Sequence, residues 1–375
     1  MPFIRVCHHI FHDMRVLNTF AWAIVGLILS KRPHSSHWLP FRPGLTQAAS
    51  KERQFLRWLH NDKIDPMKIY LPLVHEVLKD WSQATLYLAL DTTMLWDKFV
   101  VVRVALVYSG RAIPLGWVVF PSSSATVAVV TYQRMLAQIA AQLPLDATVV
   151  LLADRGFGHV ALMKICKQLG WHFRIRLKSD TWIYQQNGKQ RQIHQLVPPL
   201  GEAHCYENIR VTKKRYGPLC LVMAHVKTPN GTEKWAILSD EPVGRTTFDE
   251  YGLRFCIEEN FLDDKSNGFN LEDSQLRDSM AISRLCLILA VATLYLVSTG
   301  MAVDTLGFRS QVDTHWRRGL SYLQIGWRWC THAIWNNKWL QAFLWLPPNP
   351  DPEPAIASWK QFFRPMYELH SLKRF

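Results

Sequence analysis

The chain lacks the devices that hold small secreted or zinc-stapled folds together. Its seven cysteines are an odd number and no two form a CxxC pair, so neither a disulfide framework nor a zinc-ribbon spacing is available, and a reducing compartment fits best. Cys7, His8, His9 and His12 are the one cluster of soft ligands, but adjacent histidines have no standard structural-zinc spacing and no zinc is expected there. No internal repeat or low-complexity tract is present. A dense basic tail is missing too: the net charge is about +5 over residues 1–80 and about +4 over residues 301–375, within a total of +13.

What is present is an excess of positive charge on a chain that can fold. Lys and Arg number 43 against 30 Asp and Glu, and a pI near 9.5 favours a polyanionic partner, with nucleic acid first. Hydrophobic residues make up 49% of 375, enough for two or three compact units and too much for wholesale disorder. Two apolar runs raise the question of a membrane. Val16–Ser30 follows Arg15 like an export signal, but Lys31, Arg32 and Pro33 stand where a small-residue cleavage site would. Leu285–Val303 carries no charge over 19 residues but contains Thr293, Ser298, Thr299 and Gly300, and reads as a buried core helix rather than a span. No membrane partner is expected.

Periodicity divides the chain. Residues 1–80 read as helices broken by the Pro-, Ser- and His-containing stretch Lys31–Gly44. From Thr85 onward Leu86–Leu90, Phe99–Tyr108 and Ile113–Phe120 are short β-rich runs. Helical character over Thr126–Leu143, an apolar strand at Ala147–Ala153, a helix at Val160–Leu169 and a strand at Trp171–Lys178 follow. This β-β-β-α-β-α-β order predicts an α/β fold, a mixed five-stranded sheet flanked by helices, which is the order of the RNase H-like core. Between Asp180 and Thr246 the turn signals Asn187-Gly188, Pro198-Pro199, Tyr216-Gly217-Pro218 and Asn230-Gly231 punctuate a β-rich insertion. Helical character returns at Phe248–Leu262 and Asp273–Val297. Beyond residue 300, Trp316, Trp327, Trp329, Trp335, Trp339 and Trp345 read as helix-packing core.

Two carboxylates end two of the apolar strands: Asp91 after Leu86–Leu90, and Asp154 after Val149–Ala153. If the strands are neighbours, the two repel unless a cation is shared, and hard oxygen donors point to Mg²⁺ or Mn²⁺. An Asp at a strand end can equally start a turn. A third element is more specific: Tyr251, Arg254, Glu258 and Lys265 stand in a segment of helical periodicity. On a helix unbroken through Lys265 they fall within an arc of about 60°, one face about 21 Å long. Four fixed residue types at fixed spacings arise by chance about once per 10⁵ positions.

On these residues the chain resembles the DDE transposases of bacterial insertion sequences, in particular the family typified by insertion sequence four, whose signature is this Tyr-Arg-Glu-Lys spacing. LALDTT around Asp91, LLADRGF around Asp154 and WAILSDEP ahead of the signature segment are similar to the family's surroundings, and the resemblance covers about residues 84–300. It implies an RNase H-like catalytic core over 84–180 and 246–300, interrupted by a β-rich insertion over 181–245. An N-terminal helical DNA-binding region at 1–83 and a C-terminal helical region at 301–375 complete the expected domains, although no helix-turn-helix pattern is convincing in the first.

The resemblance further implies that Asp91, Asp154 and Glu258 hold two Mg²⁺ (or Mn²⁺) ions for cleavage and strand transfer at double-stranded transposon ends and target DNA. It leaves open whether a DNA hairpin forms between those steps. Tyr251, Arg254 and Lys265 carry over as phosphate contacts, and Trp235 as a ring stacked on a flipped base, against the alternative of a core Trp in a hairpin. A homodimer synapsed on DNA and a cytoplasmic, nucleoid-associated bacterial location are the expected setting. On Trp171–Lys178, alternation puts His172, Arg174, Arg176 and Lys178 on one cationic face, expected to contact DNA. Lys213, Lys214 and Arg215 lie at a hairpin tip, to grip a backbone or merely to solvate a turn. An endonuclease that cleaves without joining shares the same carboxylates. A catalytically silent DNA-binding derivative is disfavoured by the presence of all three.

Overall fold

Helix and strand boundaries follow local chemistry. In the computed structural model, which describes residues 11, 13–124, 127–228, 231–266, 268–340, 344–348 and 369–375, Asp13 caps helix α1 (Met14–Ser30) by accepting the Arg15 N–H, and Lys31 ends it in the left-handed conformation. Helix α2 spans Ala48–Leu59. Asp65 caps α3 (Pro66–Leu78), with Pro66 in the first turn where its missing N–H costs nothing. The Cys7, His8, His9 and His12 cluster lies outside the described residues.

Strands β1 (Thr85–Leu95), β2 (Phe99–Tyr108) and β3 (Arg111–Pro121), helix α4 (Val129–Ala140), strand β4 (Thr148–Ala153), helix α5 (Val160–Gln168) and strand β5 (His172–Arg176) follow in the predicted order. The fold is mixed α/β and RNase H-like in this order. Strands β6 (Trp182–Tyr184), β7 (Gln190–Gln192), β8 (Glu202–Val211), β9 (Tyr216–Thr228) and β10 (Gly231–Ser239) occupy the turn-rich stretch. Helices α6 (Thr246–Gly252), α7 (Phe255–Lys265), α8 (Ser279–Thr305) and α9 (Tyr322–Trp335) and strand β11 (Ser371–Arg374) complete the chain.

The chain divides into two compact units that cut across these sequence regions. The first takes the N-terminal helices, the rest of β1 after Asp91, β2, β3, α4, and residues from Ile257 onward through α8 and α9. Its centre is α8, buried along nearly its whole length. This helix is long and apolar enough to cross a membrane, but its most apolar window, of mean hydropathy 2.2, is 89% buried inside the protein. Arg284 fastens it to the loop between α2 and α3, donating to the Leu59 and Ile64 carbonyls and to Asp62. Helix α9 lies against it with almost no gap: a Cβ on Gly300 would sit 1.9 Å from the Tyr322 carbonyl oxygen, and one on Gly326 1.9 Å from that of Leu296. Only glycine permits that approach. The tryptophan expectation is corrected in part. Trp327 and Trp329 are core, whereas Trp316, in the loop before α9, Trp335, its last residue, and Trp345, beyond it, are 96%, 82% and 40% exposed.

The second unit is one mixed sheet. Its strands run in the order β1, β4, β5, β10, β9, β8, β6, β7, with β11 added to β8. Strands β1, β4 and β5 are parallel, and β10 joins β5 antiparallel through the pairs Ile237–Arg176 and Ser239–Arg174. The sheet therefore does not stop at the five strands expected; the insertion continues it. The parallel strands are buried on both faces, which is why they read as continuous apolar runs.

Candidate active site

Within the second unit, register brings the first two carboxylates together. Leu90 pairs with Ala153 in the last parallel rung between β1 and β4, so Asp91 and Asp154 are the next residues along, both partly exposed; Asp154 stands just past the end of β4, whereas Asp91, expected at a strand end, lies within β1, which runs on to Leu95. Asp154 also caps the short turn Arg155–Phe157, one oxygen accepting the Gly156 N–H at 2.7 Å. That is the turn-starting role an Asp plays at any strand end, and it fixes the carboxylate without neutralising it. Asp91 is neutralised: Arg254 Nη1 lies 2.9 Å from its Oδ2, with both side chains largely buried.

Tyr251 sits beside this pair, 3% exposed, with the Arg254 guanidinium 5.8 Å from its ring centroid. Burial pushes the Tyr251 hydroxyl up, with Arg254 and Arg176 pulling it partly back, so the phenol stays a protonated donor at neutral pH. Donor chemistry suits a hard divalent cation here, since two carboxylates side by side on adjacent strands offer oxygen and no sulfur or imidazole.

In the first unit, Glu258 is exposed in the first turn of α7. Lys265, in its last turn, donates to the Met94 carbonyl and lies 3.6 Å from Glu272. The unbroken helical face expected from Tyr251 to Lys265 is corrected. Helix α6 ends at Gly252, and Leu253 and Arg254 form a turn held by 3-10 type bonds from Leu253 N to Glu250 O and from Arg254 N to Tyr251 O before α7 starts at Phe255. A glycine at the end of α6 and the burial of Tyr251 and Arg254 favour the tighter turn.

The cationic face on β5 is corrected at Arg174, which is 6% exposed. It pairs with Glu241 at 2.9 Å and Glu250 at 2.7 Å and donates to Ser239 Oγ at 3.0 Å. Its charge is used inside the protein, holding α6 to β5. Arg176 is half-buried, donating to the Lys234 carbonyl at 3.1 Å, and Lys178 is exposed. His172 pairs with Asp240 at 2.9 Å and lies 3.6 Å from Glu241. These three could hold a metal by spacing, but Asp240 already accepts the Phe173 N–H and Glu241 the Arg174 guanidinium, which makes them an ion-pair network.

Trp235 takes the core position read as its alternative: it is 8% exposed in a core with Ala203, Cys205, Val222, Ile237, Phe248 and Tyr251, its Nε1 donating to Glu233 at 2.7 Å. Sequence reasoning missed Glu241 and Glu250, for which the one available signal was the acidic pair in SDEP. Lys213, Lys214 and Arg215 are exposed at the β8–β9 tip, Arg215 standing over the Tyr184 ring at 4.8 Å.

The chain thus has an RNase H-like order of elements with two carboxylates side by side on adjacent parallel strands. The profile described as Transposase DDE domain matches residues 97–295, more than half of the chain, and the chain belongs to that family. Among solved structures, the synaptic complex of piggyBac transposase with hairpin DNA is similar at 14% identity, covering 91% of this chain and 78% of that one with a TM-score of 0.39. No curated protein matches the chain.

Proposed function

We propose that this chain is a cut-and-paste transposase of the insertion-sequence-four type, which binds the terminal inverted repeats of its own element as a synapsed dimer in the bacterial cytoplasm. It cleaves there with divalent metal and joins the freed 3′-ends to target DNA. The observation that carries the reading is the β1–β4 register, which makes Asp91 and Asp154 neighbours. Arg254 already balances Asp91, and two such carboxylates in one place offer hard oxygen donors to a further, shared cation; Mg²⁺ or Mn²⁺, two ions, would be held by Asp91, Asp154 and Glu258. When bound, the ions activate the attacking water or 3′-hydroxyl and stabilise the leaving oxygen.

The chain's own residues do the rest. Arg254 balances Asp91 and has the planar fork that matches a phosphate. Tyr251 keeps its proton and can donate to a phosphate oxygen, and Lys265 supplies a point charge. Lys178 and the Lys213, Lys214 and Arg215 tip are exposed cations that would neutralise backbone phosphates.

The test is incubation with linear DNA carrying candidate element ends, a target plasmid and Mg²⁺, with nicks, hairpins and joined products mapped. Nicks at the ends followed by joined products are expected. Cleavage without joining would replace the transposase reading with a plain endonuclease, and end binding without any cleavage would make the chain a silent derivative.

A further inference from the structure

Helix α7 has two opposed faces. At roughly 100° per residue, Glu258 and Lys265 lie about 20° apart, while Glu259, Asn260, Asp263 and Asp264 point to the other side. Burial agrees: Glu258 is exposed, whereas Asn260, Asp263 and Asp264 are buried. Two arginines of the β2–β3 hairpin, in the same unit, grip that second face. Arg103 is the single charged residue of the run Phe99–Tyr108 and is 2% exposed. It donates to Asn260 Oδ1 at 2.6 Å, pairs with Asp264 at 2.6 Å, and stands 4.9 Å from the Phe261 ring centroid. Arg111 pairs with Glu259 at 2.8 Å and lies 3.6 Å from Asp263.

Such a cluster is a poor way to gain stability. Desolvation offsets most of what a buried ion pair contributes, and an apolar replacement of equal volume is often neutral or better. What charged forks provide that apolar contacts do not is direction, since each guanidinium donates its hydrogen bonds only in its own plane. Burial pushes the Asp263 carboxyl up to about 7 and raises that of Asp264 as well, with Arg111 and Arg103 pulling them partly back, so the two guanidinium groups face buried carboxyls that hold their protons more tightly than free ones.

We propose that Arg103 and Arg111 are positioning residues that lock the rotation and register of α7 and so fix where the Glu258 carboxylate is presented. The inference rests on the reading of Glu258 as a metal ligand. With side chains reaching about 5–6 Å from a helix axis, a roll of roughly 20° would carry that carboxylate about 2 Å. Misplacement on this scale costs on the order of 10²-fold in rate.

The experiment compares the full chain with Arg103→Met/Asp264→Leu, which replaces a buried pair by apolar volume, with Arg111→Gln, and with Glu258→Gln. Four quantities are read: the denaturant midpoint, hydrogen exchange of α7 against α8 and β9, Mn²⁺ affinity by paramagnetic resonance, and end nicking with end-DNA affinity. The double variant is expected to unfold near the wild-type midpoint, to exchange about tenfold faster in α7 alone, and to bind Mn²⁺ about tenfold more weakly. It should nick about 10²-fold more slowly with unchanged DNA affinity. A folded double variant with wild-type Mn²⁺ affinity and nicking overturns the proposal, as does faster exchange spread equally over α7, α8 and β9. If the double variant does not fold, Arg111→Gln decides by the same local signature, about tenfold in nicking. Normal Mn²⁺ binding and nicking in Glu258→Gln would instead overturn the ligand reading, and the exchange data on α7 would still show whether the arginines hold the helix.

Discussion

Replacing Trp235 by alanine separates two roles that a Trp at this place can have. The ring is 8% exposed, packed at 5.8 Å from Phe248, with its N–H on Glu233. A tryptophan buries about 150–250 Å², so at about 25 cal/mol per Å² the lost transfer term is roughly 4–6 kcal/mol as an upper bound, and measured Trp→Ala truncations in cores run about 3–5 kcal/mol. We therefore expect Trp235→Ala to lose about 4 kcal/mol, close to a thousandfold in the folded-to-unfolded ratio, and Trp235→Phe to lose about 1 kcal/mol with the N–H bond. Urea titration of both variants gives the stabilities, and single-turnover assays on end DNA give first nicking and any hairpin or joined product. Since Tyr251 shares the Trp235 core, nicking and later steps should fall together in the alanine variant. A loss below about 1 kcal/mol combined with normal nicking and a missing hairpin would refute the core assignment and restore base stacking.

Asp91→Asn, Asp154→Asn and Glu258→Gln should each abolish metal-dependent cleavage while a gel-shift assay still shows DNA binding; substantial cleavage in any one removes that residue from the ligand set. Asp263 gives a pH signature. Its folded carboxyl is raised from 3.8 to about 7, so between those values the folded state holds the proton more tightly than the unfolded chain. Its contribution is complete below about pH 4 and lost as pH rises through 7, at most roughly 4 kcal/mol. Urea midpoints at pH 5 and pH 8 should differ less in Asp263→Asn than in the wild type, and an equal difference would show that the carboxyl is not raised. Gly326→Ala, whose Cβ would meet the Leu296 carbonyl at 1.9 Å, should force α8 and α9 apart and cost about 3 kcal/mol or more by thermal or urea melting; a variant as stable as the wild type would mean the helices are not in that contact.

Strand positions were legible because apolar runs of strand length stand between turn residues; Phe99–Tyr108 is read from the sequence with the bounds found for β2. Asp91 and Asp154 were legible because each ends such a run, but the shared register that makes them neighbours is a pairing between residues some sixty positions apart. Alternation along β5 shows which side chains share a face and says nothing of their partners, so Arg174 read as a surface cation although Glu241 and Glu250 neutralise it. The Tyr251–Lys265 spacing suits an unbroken helix, and the one local sign of the turn at Leu253 and Arg254 is Gly252, a residue that a helix interior also tolerates. A lone Arg103 in an otherwise apolar strand was a signal of a buried partner, but not of which helix supplies it.

The long apolar stretch of helix α8, without charge from Leu285 to Val303, has a consequence for how the chain is made. While it emerges from the ribosome it has the hydropathy of a stop-transfer segment, and a version fused to an export signal should arrest in the bilayer. In ordinary synthesis its cover is prepared in advance: α1, α2 and α3 precede it, and the carbonyls of Leu59 and Ile64 that receive Arg284 already exist when that arginine appears. The face lined by Gly300 must wait, for the thirty residues between the end of α8 at Thr305 and the end of α9 at Trp335. Deleting the N-terminal helices to isolate the catalytic core would therefore leave an insertion-competent helix without its sheath.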